Sequence, residues 1–368
     1  MTLSKLKKIV LPGIILQSVL IGGGYATGRE IVEYGGKFGA LGWICGVTIF
    51  VGFSVLAILT FEACRQWKVY DYKSLLQKML GRGWIAYEIS YLLLAIIIIA
   101  VMASAAGEIL NTTMGFNVWV GIVLIILIVG FLNYMGEDFI AKMKTIGTIA
   151  LFIAYGVFSY FVFTEYSEKI LNVFTTSNSN YMDSPPSILL LLWTGILYVG
   201  YNLAVYPAGF FTIKEITSKK ESVAAGIISG VLMTFPWFLT YFSIMAFYPN
   251  PEILNSSVPW LKMLQPFNST LIIIFGIVVG WTLVETATGM IHGFIARIDQ
   301  EVFIRKTNHL KKSTKALISI AALLIAMLTA QIGIIDLIAN GYAFMAYVMI
   351  LVFALPLLYY SKRLLFSS

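Results

Sequence analysis

The stretch Ile21-Gly22-Gly23-Gly24-Tyr25-Ala26-Thr27-Gly28-Arg29-Glu30 decides the fold. It sits inside a run apolar enough to cross a bilayer, yet it carries a glycine at 22, 23, 24 and 28. Each glycine costs a helix interior about 1 kcal/mol relative to alanine. Three in succession mark a place where a membrane helix unwinds. Unwound backbone survives at that depth only where protein or a water-filled cavity satisfies its polar groups. The motif therefore announces a broken span lining an internal site.

Outward from the motif, the 368 residues are 59% apolar and 12% charged, with a mean hydropathy of +0.87. Soluble domains carry about 25% charged residues, so lipid must replace water over much of this surface. The net charge of +7 is no nucleic-acid footprint, because the basic residues lie in short loops between apolar runs rather than along one stripe. Cys45 and Cys64 share one apolar segment and imply neither a disulfide framework nor a metal site. There is no phosphate loop with Lys-Ser/Thr, no H-E-x-x-H and no nucleophile elbow, and only two histidines, His292 and His309. The expectation is a non-enzyme with no cofactor and no nucleic-acid partner.

Apolar runs long enough to span about 30 Å of hydrocarbon fall at 9–34, 38–64, 84–110, 117–133, 145–164, 187–212, 222–248, 269–296, 316–334 and 336–360. Lys5, Lys7 and Lys8 precede the first run as in a signal peptide, but no A-x-A-like site follows, so it reads as a retained helix. Charge supports ten spans with both termini cytoplasmic in a multi-pass cell-membrane protein. On that topology 21 of the 25 Lys and Arg residues lie inside, and Arg29, Lys37, Lys169 and Lys262 lie outside. Trp67 and Trp84 fall at the inner interface, and Trp43, Trp119 and Trp260 at the outer one. Residues 71–80 read as an interfacial helix, and 251–264 as an outer segment able to act as a lid.

Ten spans divide into five plus five, and an odd number per half inverts one half against the other. The expected units are a first repeat at 1–164, an external loop at 165–185 and a second, inverted repeat at 186–368. The first span reads Leu16-Gln17-Ser18-Val19-Leu20-Ile21-Gly22-Gly23-Gly24-Tyr25, and the sixth reads Leu192-Trp193-Thr194-Gly195-Ile196-Leu197-Tyr198-Val199-Gly200-Tyr201. Leu, a hydroxyl residue, Gly and Tyr coincide. The sixth span then carries Asn202 and Pro207, which removes an amide donor. Paired interruptions in two inverted halves point to a substrate site near the midplane.

The opening motif, the size and the ten spans resemble the YkvI-like permeases, a group similar to the amino acid–polyamine–organocation transporter superfamily. That resemblance implies an all-α LeuT-type fold with broken helices 1 and 6, and a site between helices 1, 3, 6 and 8. It implies an amino acid as the usual solute. Some proton-coupled relatives hold a lysine in the middle of helix 5. Here the stretch is Thr148-Ile149-Ala150-Leu151-Phe152-Ile153, so the resemblance carries no lysine-based proton mechanism.

A half-helix N-terminus exposes free amides and partial positive charge. Gly22, Gly23, Gly24, Tyr25 and Thr27 are thus expected to hold a substrate carboxylate. The carbonyls of Leu20, Ile21, Tyr198 and Val199 are expected to hold an ammonium group, with Ser104, Gly200, Tyr201 and Asn202 completing the site. Glu285 lies near the centre of the eighth span, where a charge costs at least about 2.5 kcal/mol, so it should face the bundle interior. Glu285, Thr288 and His292 share one helix face, with Thr286 adjacent. They are expected to couple transport either to a proton, carried by Glu285 and His292, or to sodium, held by Ile21, Glu285 and Thr286. Glu108 is a further acid near the outer end of the third span. The expected function is a secondary transporter of a small solute, with a transporter-shaped receptor subunit as the alternative.

Overall fold

The helix that begins at Leu3 stops at Leu20, and the glycine run decides where. In the computed structural model α1 (Leu3–Leu20) gives way to Gly22 in extended conformation, φ −122° and ψ −176°. The Ile21 amide donates to Gln17 O at 3.0 Å and the Gly22 amide to Leu20 O at 2.8 Å, which closes the helix end. Helix resumes as α2 (Gly23–Thr27). It turns again at Gly28, whose φ of +86° suits a residue without a Cβ, and continues as α3 (Arg29–Tyr34). The first span is interrupted twice, at Ile21-Gly22 and at Gly28.

The backbone is described for residues 3–135 and 137–366, and the side chains for these except 3–7, 23, 135, 137–148, 211, 304–306, 362, 363, 365 and 366. Several basic residues of the charge argument (Lys5, Lys7, Lys142, Lys144, Arg305, Lys306, Lys362, Arg363), and Thr148 of the helix-5 stretch, have side chains outside the described set. A 3₁₀ stretch leads into α4 (Trp43–Trp67), then come α5 (Tyr72–Leu80), α6 (Trp84–Met114), α7 (Val118–Met135) and α8 (Glu137–Thr175). Asp71 caps α5 by accepting the Ser74 amide at 2.8 Å. The segment 165–175, expected to open an external loop, is helical. It runs on from α8 past a kink at Tyr166.

The sixth span departs from expectation. α9 (Ile188–Asn202) is regular α-helix through Asn202, and a 3₁₀ run then extends from Leu203 to Glu215 across Pro207. The interruption thus follows Tyr198–Asn202 instead of containing it. Its glycines serve close packing. A Cβ on Gly200 would meet Ile350 Cδ1 at 3.0 Å, and one on Gly195 would meet Thr48 Cβ at 2.7 Å. Asn202 turns back to donate to Tyr198 O at 2.9 Å. Pro207 lacks the amide that α-helix would need, and the tighter 3₁₀ path carries the chain past it.

After α10 (Lys219–Met245), short helices α11 (Pro251–Leu254) and α12 (Pro259–Leu264) occupy the expected lid. α13 (Ser269–Lys306) and α14 (Lys312–Thr329) follow. The C-terminal span combines α15 (Ile334–Asp336), a π-turn at Leu337–Tyr342, α16 (Ala343–Met349), a second π-turn at Ile350–Ala354 and α17 (Leu355–Phe366). Among the described residues there is no strand.

Eight of the described helices are long and apolar enough to cross a membrane, and two shorter apolar helices, Lys8–Leu20 and Val118–Tyr134, accompany them. The bundle is apolar outside and partly polar inside. Leu127, Ile277 and Leu351 are each more than 60% exposed, whereas Thr27, Glu30, Thr60 and Ser229 are buried. That inversion suits lipid as solvent and makes this a membrane protein. Two residues expected on the outer side are enclosed by protein: Trp260 is fully buried and Arg29 is 4% exposed. Both are enclosed because the lid folds down onto the Gly28 turn.

Candidate functional site

The break in the first span faces α13. A small cavity beside it, about 10 Å³, is lined by Ser18, Ile21, Leu151, Phe152, Thr282, Glu285 and Thr286. That is room for one water molecule or a bare monovalent cation. Three elements build it: the end of α1, the middle of α8 and the middle of α13. The approach is close, since a Cβ on Gly22 would fall 2.7 Å from Thr286 Cγ2. Ile21, Glu285 and Thr286, separated by more than 260 positions in sequence, thus share one wall. Leu151 and Phe152 bring the helix-5 stretch to this cavity and contribute only apolar atoms.

Thr288 and His292 are placed apart from it. The Thr288 hydroxyl donates to Val284 O at 2.7 Å, within its own helix. His292 is not among the cavity residues. Thr282, one turn before Glu285, lines the cavity in place of Thr288, although its hydroxyl also bonds within the helix, to Val278 O at 2.9 Å.

On the far side of the break lies a second constellation centred on Glu30, which the spacing of residues does not single out. Glu30 is 5% exposed. Tyr201 donates its hydroxyl to Glu30 Oε2 at 2.6 Å, and the backbone amide of Tyr25 is a second donor. A Cβ on Gly24 would sit 2.5 Å from Glu30 Oε1, so glycine at 24 makes space for this carboxylate. Around it pack buried tyrosines. Tyr201 lies with its ring centroid 4.6 Å from Tyr342, 5.4 Å from Tyr198 and 5.7 Å from Tyr34. Tyr155 donates to Tyr25 O at 3.0 Å. The signal available in sequence was an acid two residues past the last glycine of the motif, close enough to fold back on it.

Of the other expected substrate residues, Tyr25, Tyr198 and Tyr201 meet here. Thr27 spends its hydroxyl on Gly24 O at 2.9 Å. Ser104 is buried on α6, and Gly200 and Asn202 serve packing and helix closure as described above. Where a substrate carboxylate was expected, near the start of α2, stands a carboxylate of the chain itself.

Arg29, next to Glu30, points the other way. Its guanidinium donates to Leu254 O at 2.5 Å and pairs with Glu33 at 3.0 Å. Trp260 from α12 lies against Gly28, where a Cβ would meet its Cδ1 at 3.1 Å, and edges Tyr155 at 5.8 Å between centroids. The lid is thus held onto the first span at two points. Above it a cavity of about 580 Å³ is lined by polar residues including Glu108, Asn111, Glu252, Ser256 and Lys262. At the opposite end of the bundle Arg297 of α13 pairs with Glu88 of α6 at 2.8 Å, under the rings of Tyr72 and Tyr91.

No family model matches the chain. It is 22% identical to the uncharacterized membrane protein YkvI of Bacillus subtilis over 341 residues, 89% of either chain. Among solved structures it resembles a Na+-coupled sialic acid symporter in a substrate-bound outward-open state (TM-score 0.55, 14% identity, 96% of this chain and 85% of the other). It also resembles the Eremococcus coleocola manganese transporter (TM-score 0.54, 15% identity, 96% and 78%). At these identities the shared property is the fold.

Proposed function

We propose that this protein is a secondary active transporter that moves a small solute across the cell membrane by alternating access, coupled to sodium or protons. The reading takes the two shorter apolar helices as spans, giving ten in two inverted repeats, 1–164 and 186–368, with both termini cytoplasmic. The resemblance to transporters of known fold supports this arrangement, and so does the doubly broken first span.

The observation that carries it is the cavity at Ile21, Glu285 and Thr286, set beside the point where α1 ends. A helix end leaves its last carbonyls short of intrahelical donors. A carboxylate, a threonine hydroxyl and such carbonyls are hard oxygens suited to sodium, and the carboxylate alone suits a proton. In either case Glu285 is the coupling group, and the solute occupies the neighbouring space around Tyr25, Tyr198 and Tyr201. The solute bears an amine. The superfamily resemblance implies an amino acid, with the Glu30 carboxylate facing the amine end.

Uptake into proteoliposomes under an imposed sodium or proton gradient tests the reading, with a panel of amino acids and simple amines as solutes. One gradient should drive accumulation, and Glu285→Gln should abolish the driven component. If neither gradient moves any solute and Glu285→Gln alters nothing, the proposal is lost. Saturable binding without flux would instead identify a receptor of transporter shape.

A further inference from the structure

Resting on the membrane topology proposed above, we infer that Lys78 and Arg82 form a docking site for an anionic phospholipid of the inner leaflet. The cations hold its phosphate, and its acyl chains lie along the outer face of α6. The site is separate from both cavities described above.

Two cations stand there without a counter-charge. Lys78 belongs to the last turn of α5, and Arg82 to the turn Gly81–Gly83 that leads into α6. Both side chains are exposed, and neither forms an ion pair among the described residues. Lys78 lies over the Trp67 ring, with Nζ 5.8 Å from its centroid. The acids of the neighbouring elements are committed elsewhere. Asp71 caps α5 through the Ser74 amide, Glu88 pairs with Arg297, and Glu301 pairs with Lys73. On the cytoplasmic side, cations left unpaired in this way meet the negative surface of the leaflet and are drawn to it.

The same cations head a lipid-facing stripe. Ile85, Ile89 and Leu93 follow Arg82 at i+3, i+7 and i+11, on one face of α6, and are 48%, 55% and 51% exposed. Trp84 stands between cation and stripe, at the level where aromatic rings mark the membrane interface. Residues 78–93 thus present positive charge, then an interfacial ring, then hydrocarbon. A phospholipid presents its phosphate, its ester region and its chains in the matching order.

There is also room for the headgroup. Gly81 has a φ of +56°, and a Cβ there would meet nothing within 4 Å. One on Gly83 would meet only Leu80 Cβ, at 3.5 Å. The backbone between the two cations is therefore uncovered, and a phosphate can lie against it.

Occupancy has a consequence inside the protein, because the first turn of α5 serves the inner end of the bundle. The Tyr72 hydroxyl donates to Glu88 Oε1 at 3.5 Å, the Arg297 guanidinium sits 4.0 Å from the Tyr72 ring centroid, and Lys73 pairs with Glu301 of α13. A lipid that pins the last turn of α5 to the start of α6 holds these contacts together and stabilises the inner-closed arrangement.

Thermal unfolding of the full chain in a nonionic detergent tests the inference, since a ligand of the folded state raises the melting temperature. The probes are dioleoyl-phosphatidylglycerol, dioleoyl-phosphatidylcholine and inorganic phosphate. Phosphatidylglycerol should stabilise saturably, with a half-saturating mole fraction on the order of tenfold below that of phosphatidylcholine. Inorganic phosphate, which lacks the chains, should have no effect. Lys78→Gln with Arg82→Gln should abolish the preference. Lys311→Gln with Lys312→Gln, which removes two exposed cations at the start of α14, should keep it. All four side chains are exposed, so both double variants should fold. The inference is overturned if the two lipids act alike or if the preference survives Lys78→Gln with Arg82→Gln. It is equally overturned if Lys311→Gln with Lys312→Gln loses the preference as well, or if inorganic phosphate alone reproduces the effect. Gradient-driven uptake without any lipid preference would sink the docking site and spare the transporter. A lipid preference with no flux of any solute would do the reverse.

Discussion

The Tyr201 hydroxyl reaches Glu30 Oε2 at 2.6 Å and joins α9 to α3 across 171 positions of sequence. It ties the two interrupted spans together inside the bundle, where a broken hydrogen bond is not replaced by water. Tyr201→Phe should lower unfolding stability by about 1–3 kcal/mol, the range for a buried acceptor left short of its donor. Tyr206→Phe is the matched control, since that hydroxyl also bonds inside the bundle, to Phe53 O at 3.0 Å. Both variants should unfold earlier. Only Tyr201→Phe should also change ligand affinity. Equal ligand binding in the two would show that the tie is merely structural.

The lid gives a second prediction. Arg29 holds it through Leu254 O, and its guanidinium is kept in place by Glu33. Arg29→Gln removes these contacts and a longer one to Ser256 O at 3.4 Å, and should let Pro251–Leu264 lift more often. A reporter is available in Ser256→Cys at the rim of the outer cavity, because the native cysteines Cys45 and Cys64 are buried. Labelling of Cys at 256 by a membrane-impermeant maleimide should speed up several-fold in the Arg29→Gln background. Unchanged labelling would mean that the lid is held by Trp260 alone.

At the other end of the bundle, Arg297 and Glu88 form a largely buried pair between α13 and α6. Removing one partner of such a pair strands the other charge and costs about 3–5 kcal/mol, whereas replacing both is often close to neutral. Arg297→Met should therefore destabilise strongly, and Glu88→Gln combined with Arg297→Met should recover much of the loss. The measurement is a double-mutant cycle of thermal unfolding in detergent. A double variant no better than the singles would assign the cost to lost packing of Arg297 on Tyr72 and Tyr91.

These tests lean on features that were unequally visible in the sequence. The break at Ile21-Gly22 could be read directly, since consecutive glycines weaken helix wherever they occur. The interruption of the sixth span was misplaced, because Gly195 and Gly200 look identical in sequence whether they loosen a helix or admit a neighbour. Only Thr48 and Ile350, far away in the chain, reveal which. Glu285 announced itself by depth alone. Glu30 did not, because it is enclosed by side chains far away in the chain, Tyr201 of the sixth span among them. The π-turn at Leu337–Tyr342, which belongs to the span that brings Tyr342 to the site, has no local signature either. Long-range enclosure is where periodicity and charge counting lose sight of a site.

The same distinction yields the sharpest test of ion coupling. Thr286 and Thr288 are two residues apart in one helix, and sequence alone treats them alike. In the structure Thr286 lines the cavity with Glu285 and Ile21, while Thr288 turns its hydroxyl back to Val284 O at 2.7 Å. Substituting valine keeps the shape and removes the oxygen. If the cavity holds sodium, Thr286→Val loses a ligand and should raise the sodium concentration for half-maximal uptake by on the order of tenfold, the effect of one well-placed hydrogen bond or ligand oxygen of about 1.4 kcal/mol. Thr288→Val should leave the sodium dependence where it is and alter stability only slightly, since its donor served its own helix. If a proton on Glu285 drives transport, neither valine shifts the ion dependence, and only Glu285→Gln abolishes it. A sodium effect from Thr288→Val with none from Thr286→Val would place the ion on the other face of α13, away from the break in the first span.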